Sequence, residues 1–593
     1  MYYPERAGDE SLKNKYSFKN IFQALTDSKA LKWIFDASKK RRWSILIMAL
    51  LNIMQAVLAV VISYMLRYVI NAATNAGLTY EQRLEGVSFW GGIFIIVMLL
   101  QIAITILNRH LVFRINARLT IDMKTSLYNQ ILRKDYSQVT RFHTGEMLNR
   151  INNDISSITT AITGLIPSLS YVFAKLIGIF IVLFSIDPMF TLAFIAVGLF
   201  VLLVSSLFKK MMKNYHKEIM ETDGKIRSFM QETLSSLLVI KIFRVEDKVV
   251  NISSDLQEIN YKRKSKRNIV SLITNGSFNI AFRSAYLFGL FYCAVKIIEG
   301  DSVITYGVLS QVLSLINQIS VPIQSLAGIL PAYYSAIGSA ERIMEFENMD
   351  DELEVNDTNT DFNELYNNLE SICFKNIVFK YDRDYIFNDT DLSVTKSNLI
   401  VMTGISGIGK STLLKLLLGV FKLESGEIYL NMKDGSKITV DCNLRRLFSY
   451  VPQGNFLLSG TIRENIAFIK EDATDEEIRQ AVEFACADFI YELPDGLDTV
   501  IGEKGLGLSE GQVQRVAIAR AIVSGAPIIL LDEATSALDE QTEIKLLENI
   551  KKLTDKTCIL ISHKKAANAM CDKEVRIVDG KIVVFDLNEN ANS

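Results

Sequence analysis

Apolar runs and charged stretches alternate through the first ~330 residues of the chain. Six runs, at about 43–71, 86–112, 160–186, 189–212, 270–298 and 304–330, are each long enough to cross ~30 Å of hydrocarbon as a helix. Three of the connections are modest or short and carry few basic residues: 72–85, Asp187-Pro188, and Glu299-Gly300-Asp301-Ser302. The others are long and basic, from Arg109 to Arg150, from Lys209 to Lys217, and through Lys262-Arg263-Lys264-Ser265-Lys266-Arg267. Basic loops stay on the cytoplasmic side, so the pattern predicts six spans with helical extensions into the cytosol and both termini cytoplasmic. A buried soluble core has no reason to alternate two kinds of loop.

Flanking segments complete the division. Residues 1–42 are polar, and Leu31, Trp33-Ile34-Phe35 and Lys39-Lys40-Arg41-Arg42 suggest a helix on the membrane surface before the first span. Residues 43–346 form the membrane region. Residues 347–370, acidic and Asn-rich, read as a solvated linker. Residues 371–593 read as a soluble α/β domain. The predicted fold is a membrane α-helical bundle of six long transmembrane helices fused to an α/β P-loop NTPase domain.

Composition sharpens this. Mean hydropathy is +0.21 although 22% of the 593 residues are charged, which requires the apolar residues to be segregated. A net charge of −2 argues against a nucleic-acid partner held by bulk charge. The six cysteines are scattered without a C-x-x-C pair, so neither a disulfide framework nor a zinc site is expected. No cleavable signal peptide is read, because the N-terminus is polar and the first apolar run starts near Trp43.

The chemistry concentrates in Gly404-Ile405-Ser406-Gly407-Ile408-Gly409-Lys410-Ser411-Thr412, a G-x-x-x-x-G-K-[ST] phosphate loop between an apolar strand and a helix-forming run. Glycines let backbone N–H groups turn towards phosphate, and the helix start adds a positive dipole end. Lys410 is placed for the outer phosphates of ATP, and Ser411 for Mg²⁺. Some 120 residues on, Ile528-Ile529-Leu530-Leu531-Asp532-Glu533 is a buried strand ending in two carboxylates. Asp532 can hold Mg²⁺ through its water shell and Glu533 can polarise an attacking water.

Between them, Leu508-Ser509-Glu510-Gly511-Gln512, followed by Arg515-Val516-Ala517-Ile518-Ala519-Arg520-Ala521, is similar to the signature motif of the ABC family. The resemblance is to exporter-type ABC half-transporters and covers nearly the whole chain beyond about residue 20. It implies that Tyr381 stacks on adenine, that Gln453 is the Q-loop glutamine contacting Mg²⁺ and water, that Ser536-Ala537-Leu538-Asp539 is the D-loop, and that His563 is the switch histidine. It also implies that Ser509, Gly511 and Gln512 close over the ATP of a second copy, so that hydrolysis needs a homodimer or a heterodimer with a similar half. Residues 127–155 and 229–249 resemble the two intracellular loops of such exporters, with tips near Tyr136–Phe142 and Gln231–Ser236. Two departures are Glu510 at a position usually small and Val513 at one often basic. Neither removes a catalytic group, so an active ATPase is expected, with slower turnover allowed.

For the cargo the membrane half offers less. Lys175 lies roughly 16 Å inside the outer break at the helical rise, and Arg283 lies towards the inner leaflet. With no Asp or Glu in the apolar cores of the six spans, these cations suggest a cavity for a small amphipathic substrate with an anionic part. Snorkelling is the competing explanation. Gln311, Asn317, Gln318 and Gln324 could line the path or simply bond helix to helix. The expected activity is ATP-driven export of a lipid, drug or peptide across a bacterial plasma membrane. An importer of a metal chelate on the same fold, or a nucleotide-gated channel, remains open. A soluble DNA-repair ATPase is excluded by the spans.

Overall fold

The computed structural model describes residues 29–301, 303–352, 361–381, 384–454, 457–502, 505–578 and 581–586. They divide into two compact units, one of residues up to 132 together with 144–348, the other of residues 133–143 together with 349 onward.

The first unit is helical. A short amphipathic α1 (Lys29–Ala37) and a 3₁₀ turn at Lys39–Arg41 precede the long helices α2 (Arg42–Thr74), α3 (Tyr80–Arg133), α4 (Ile155–Ile186), α5 (Pro188–Ser235), the short α6 (Leu237–Phe243), α7 (Glu246–Ile298) and α8 (Tyr306–Glu347). Five of the six expected spans fall within one long helix each, and the sixth, from about 304, starts two residues before α8. Among the described residues, four helical stretches are long and apolar enough to cross a membrane: Lys39–Thr74, Tyr80–Arg133, Thr144–Ile186 and Glu246–Ile298. Only 6% of the most apolar window of α3 is buried inside the protein. Ile96, Ile106 and Leu107 stand exposed along it. A helix this apolar and this little buried suits a hydrocarbon surrounding.

The helix ends are sequence-coded. Asp187 caps α5, accepting from the backbone N–H of Met189 at 2.8 Å and Phe190 at 3.0 Å, and Pro188 starts the helix where no N–H is needed. Thr305 caps α8, and Asn71 Oδ1 accepts from the Thr305 hydroxyl at 2.7 Å and the Gly307 N–H at 3.0 Å. α2 and α8 approach closely here: a Cβ on Gly307 would lie 2.3 Å from the Arg67 carbonyl oxygen. α2, α4 and α8 pack on one another and α5 runs along α7, around Val60, Ile179, Leu183, Phe190, Val312 and Ile316.

Below the apolar core, a π-helical turn (Arg150–Asp154) leads into α4. Its buried Asp154 accepts from Ser339 Oγ and Arg342 Nε, each at 2.9 Å, on α8. Arg150 donates to the Arg342 carbonyl and to Glu146. Trp33 Nε1 on α1 donates to Glu347 Oε2 at 2.6 Å, so a helix where a surface helix was expected is tied to the end of α8. Residues 1–28 lie outside the described residues. The second loop tip falls a few residues later than expected, on α6, where Arg244 ends the helix at φ 51°.

The second unit is α/β. Its strands are β1 (Leu369–Lys380), β2 (Tyr385–Thr395), β3 (Leu399–Gly404), β4 (Ser425–Met432), β5 (Lys437–Thr439), β6 (Phe448–Val451), β7 (Gly460–Thr461), β8 (Val500–Ile501), β9 (Ile528–Asp532), β10 (Thr557–Ile561), β11 (Lys573–Val578) and β12 (Lys581–Asp586). A six-stranded sheet in the order β12-β11-β3-β10-β9-β6 is parallel except at β12. Its central strands β3, β9 and β10 are apolar and buried along nearly their whole length, as strands covered on both faces must be. A four-stranded antiparallel sheet, β2-β1-β4-β5, stands beside it.

Two segments join this unit unexpectedly. In place of a solvated linker throughout, Phe362–Asn368 forms helix α9, capped by Asp361, and Tyr366 is 2% exposed with its hydroxyl 2.8 Å from Thr557 Oγ1. The acidic character that suggested a linker lies mainly before it. Residues 133–143 also belong here: Glu352 N–H donates to the Arg133 carbonyl, Asp135 N–H donates to the Asp350 carbonyl, and Lys422 pairs with Asp135 at 3.1 Å.

Candidate nucleotide site

β3 ends at Gly404, and the phosphate loop turns back into helix α10 (Lys410–Leu417). Gly404 at φ +145° packs against β11, where an added Cβ would sit 2.8 Å from the Ile577 carbonyl oxygen. Gly409 at φ +109° starts the helix, with no room on its outer side. Gly407 at φ +83° faces open space, and Ser406 is exposed beside it. Lys410 is 5% exposed, and its ammonium donates to the carbonyls of Gly404 at 2.8 Å and Ile405 at 3.1 Å. Burial pushes it below the usual lysine range, while Glu533 and Asp532 pull the other way.

The parallel pairing of β3, β10 and β9 brings the two carboxylates to the same end of the sheet. Ser411 Oγ donates to Asp532 Oδ1 at 2.8 Å, and the Tyr450 hydroxyl donates to Oδ2 at 2.9 Å. Burial, and then the Asp532 charge, keep that phenol protonated far into the alkaline range. Asp532 is 1% exposed and forms no ion pair among the described residues. Its hydrogen-bond partners are hydroxyls and the Lys410 ammonium acts on it only at longer range, and the oxygen groups around it suit a hard cation such as Mg²⁺.

Glu533 sits at φ +53°, a conformation rare for a non-glycine residue, with its N–H on the Ile561 carbonyl at 3.2 Å. Gln453 Nε2 donates to Glu533 Oε2 at 2.7 Å. His563 is exposed just beyond β10.

Other expected residues are engaged locally. Tyr381 is half exposed, its hydroxyl 3.0 Å from Thr412 Oγ1 and its ring edge-on to Phe379 and Phe421. Ser509 caps helix α11 (Glu510–Val523), and the Gln512 side chain returns to the Ser509 N–H at 2.8 Å, a reciprocal box. The Gln512 side chain thus closes the start of its own helix. A Cβ on Gly511 would lie 2.8 Å from the Ala537 carbonyl oxygen, and Gln514 donates to Ser536 Oγ at 3.0 Å, so the signature segment rests on the D-loop. Asp539 caps helix α12 (Glu540–Lys552); the Thr542 N–H it receives holds its carboxyl below the usual range.

A profile described as ABC transporter transmembrane region matches residues 45–323, and one described as ABC transporter matches 387–536. The chain belongs to the ABC transporters. The matches place one membrane region ahead of one ATP-binding domain, so it is a multi-pass membrane protein whose ATPase is coupled to transport. An ATP-dependent lipid A-core flippase of Syntrophus aciditrophicus is 29% identical over 79% of this transporter and 77% of its own length. A Rickettsia typhi protein provisionally named an export ATP-binding/permease protein is 29% identical over 84% of this transporter and 87% of its own. The solved structure of a bacterial Atm1-family ABC exporter with ATP bound shares the fold, with a TM-score of 0.75, 23% identity, and coverage of 94% and 96% of the two chains.

Three contributors escaped the sequence reading of this transporter. Tyr450 is one. Lys564, next to His563, donates to the Thr535 and Leu538 carbonyls at 2.8 and 2.7 Å and pairs with Glu543, bracing the D-loop. Arg67 is a third basic residue on a membrane helix, with Nη1 3.4 Å from Gln311 Oε1; its charge inside the first apolar run was visible in the sequence. Of the two cations named earlier, Lys175 is buried and donates to the Tyr171 hydroxyl at 2.9 Å, whereas Arg283 is exposed.

Proposed function

We propose that this transporter works as a dimer, of two copies or with a similar half, that clamps two ATP molecules and exports an amphipathic substrate across the bacterial plasma membrane. One observation carries the reading: among the described residues, no hydrogen bond links the phosphate loop, Gly404 to Thr412, with the signature segment, Ser509 to Gln512. Each has its own support within the chain, which favours completion of the site by a second copy. The exposed α6, with Leu238 73% and Phe243 70% exposed, is further support for a partner.

In this mechanism Lys410 exchanges its two carbonyl contacts for the outer phosphates. Ser411, Asp532 and Gln453 would hold Mg²⁺, which would supply positive charge beside the phosphate oxygens. Glu533 orients the attacking water and accepts its proton, and His563 donates to the γ-phosphate. Ser509 and the N–H of Gly511 at the start of α11 cap that phosphate from the partner side. Hydrolysis reopens the clamp, and the loop tips transmit the movement.

The flippase name of one relative supports a lipid-like cargo, and the buried Lys175 fits an anionic part of it. Native mass spectrometry of the protein in lipid is expected to show a dimer with co-purified lipid; a monomer in the presence of ATP would overturn the reading. Lys175→Ala and Arg283→Ala are expected to lower substrate-stimulated hydrolysis several-fold, on the order of the 1–3 kcal/mol of a charge-assisted hydrogen bond, and to spare the basal rate. Equal loss of both rates would argue against a cargo role.

A further inference from the structure

Tyr450 is the third residue of β6, three positions before Gln453. Its hydroxyl holds one oxygen of Asp532, while Ser411 holds the other. β6 pairs with β9 in a fixed register, Tyr450 opposite Leu530 and Val451 opposite Leu531. Backbone hydrogen bonds therefore set the distance between the phenol and the carboxylate, and the two contacts together fix the plane of the carboxyl group. A small hard cation demands near-octahedral geometry and tolerates little tilt in its ligands. Partners that orient a metal-binding side chain are worth as much as the ligands themselves in some sites.

The same tyrosine has a second neighbourhood. Tyr450 and Tyr136 line one cavity of about 320 Å³, whose wall also includes Ser411, Gln453 and Asp532. Tyr136 is itself held: its ring stands edge-on to Phe421 at 5.8 Å, and the preceding Asp135 pairs with Lys422 at 3.1 Å. A displacement of segment 133–143 would change the cavity wall that Tyr136 and Tyr450 share.

We propose that Tyr450 is a positioning residue of the cation site: its phenol sets the orientation of Asp532, and its ring makes that orientation respond to Tyr136. The inference rests on the assignment of Asp532 to the cation. It concerns metal affinity rather than the bond-breaking step.

The test uses the full chain in lipid nanodiscs, with Mn²⁺ as the probe and a non-hydrolysable ATP analogue present. Bound Mn²⁺ is read by electron paramagnetic resonance, and analogue binding in EDTA serves as the readout of an intact fold. Tyr450→Phe, which removes one oxygen atom, is expected to weaken Mn²⁺ binding by about tenfold and to leave analogue binding in EDTA unchanged. Tyr136→Ala is expected to weaken Mn²⁺ binding in the wild type and to add nothing in the Tyr450→Phe background. Mn²⁺ affinity unchanged in Tyr450→Phe would overturn the proposal, as would parallel loss of analogue binding in EDTA. Additive effects of the two substitutions would overturn the link to Tyr136. Asp532→Asn separates the two levels: if it leaves Mn²⁺ binding intact, the parent assignment fails, whereas weakening there with none in Tyr450→Phe defeats this inference alone.

Discussion

Glu533→Gln is expected to slow ATP hydrolysis by ~10²–10⁴-fold while ATP still binds and dimers accumulate. The carboxylate is held where a base is needed. Its backbone is at φ +53°, tethered by its N–H to Ile561 of β10, and its side chain takes the Gln453 amide at 2.7 Å. A non-glycine residue in that conformation costs about 1–3 kcal/mol, which a fold retains when the surroundings enforce it. Glutamine matches the shape and can still meet Gln453, so the backbone and the ATP contacts should survive. It cannot take a proton from water. Phosphate release reports the rate, and light scattering with ATP and Mg²⁺ reports the dimer. Hydrolysis at the wild-type rate would remove Glu533 from its assigned role.

The second large effect is expected from Gly409→Ala, which should weaken ATP binding by about ten- to a thousandfold. The new Cβ would lie 2.5 Å from Ile386 Cγ2 and 3.0 Å from Phe387 Cζ, and Phe387 is fully buried. Overpacking of that kind costs about 1–3 kcal/mol, and the φ of +109° adds strain of about 1–2 kcal/mol for any L side chain. The cheapest relief is to shift the loop, which misplaces the N–H groups meant for phosphate. Gly407→Ala is the control. Its φ is also positive, at +83°, but nothing lies within 4 Å of the added carbon, so it should lose less than about tenfold. Fluorescent ATP-analogue titration with a thermal melt on each variant measures both. A larger loss in Gly407→Ala than in Gly409→Ala would show that the packing behind the loop is not what shapes it.

Much of this protein is legible because its chemistry is written in short local patterns. Gly404 to Thr412 is contiguous, so the turn, the lysine and the helix start come together in any fold that keeps a strand before them. Asp532-Glu533 at the end of an apolar strand is equally local. The six apolar runs declare themselves by length alone, since hydrocarbon accepts no other backbone arrangement of a single segment.

What could not be read are relations between distant residues. Nothing in the neighbourhood of Tyr450 announces that its hydroxyl meets Asp532, 82 positions away; the register of β6 against β9 decides it. Gln512 closes the N-terminus of its own helix, a choice made by backbone geometry at Ser509. The stretch 361–368 reads as polar linker because five of its eight residues are polar, yet Tyr366, bonded to Thr557, with Phe362 and Leu365 packed beside it, draws it into the ATPase unit.

The sequence by itself determined the two-part plan of apolar helices and an α/β ATP-binding domain and where the phosphate-loop and carboxylate motifs stand in it, because hydrophobic length and contiguous motifs act over a few residues at a time. Tertiary structure alone decided which side chains hold those groups in place: the hydroxyls on Asp532, the strained backbone of Glu533, the braces of Lys564. Those depend on strand register and helix packing, which emerge only when segments a hundred residues apart are brought within hydrogen-bonding distance.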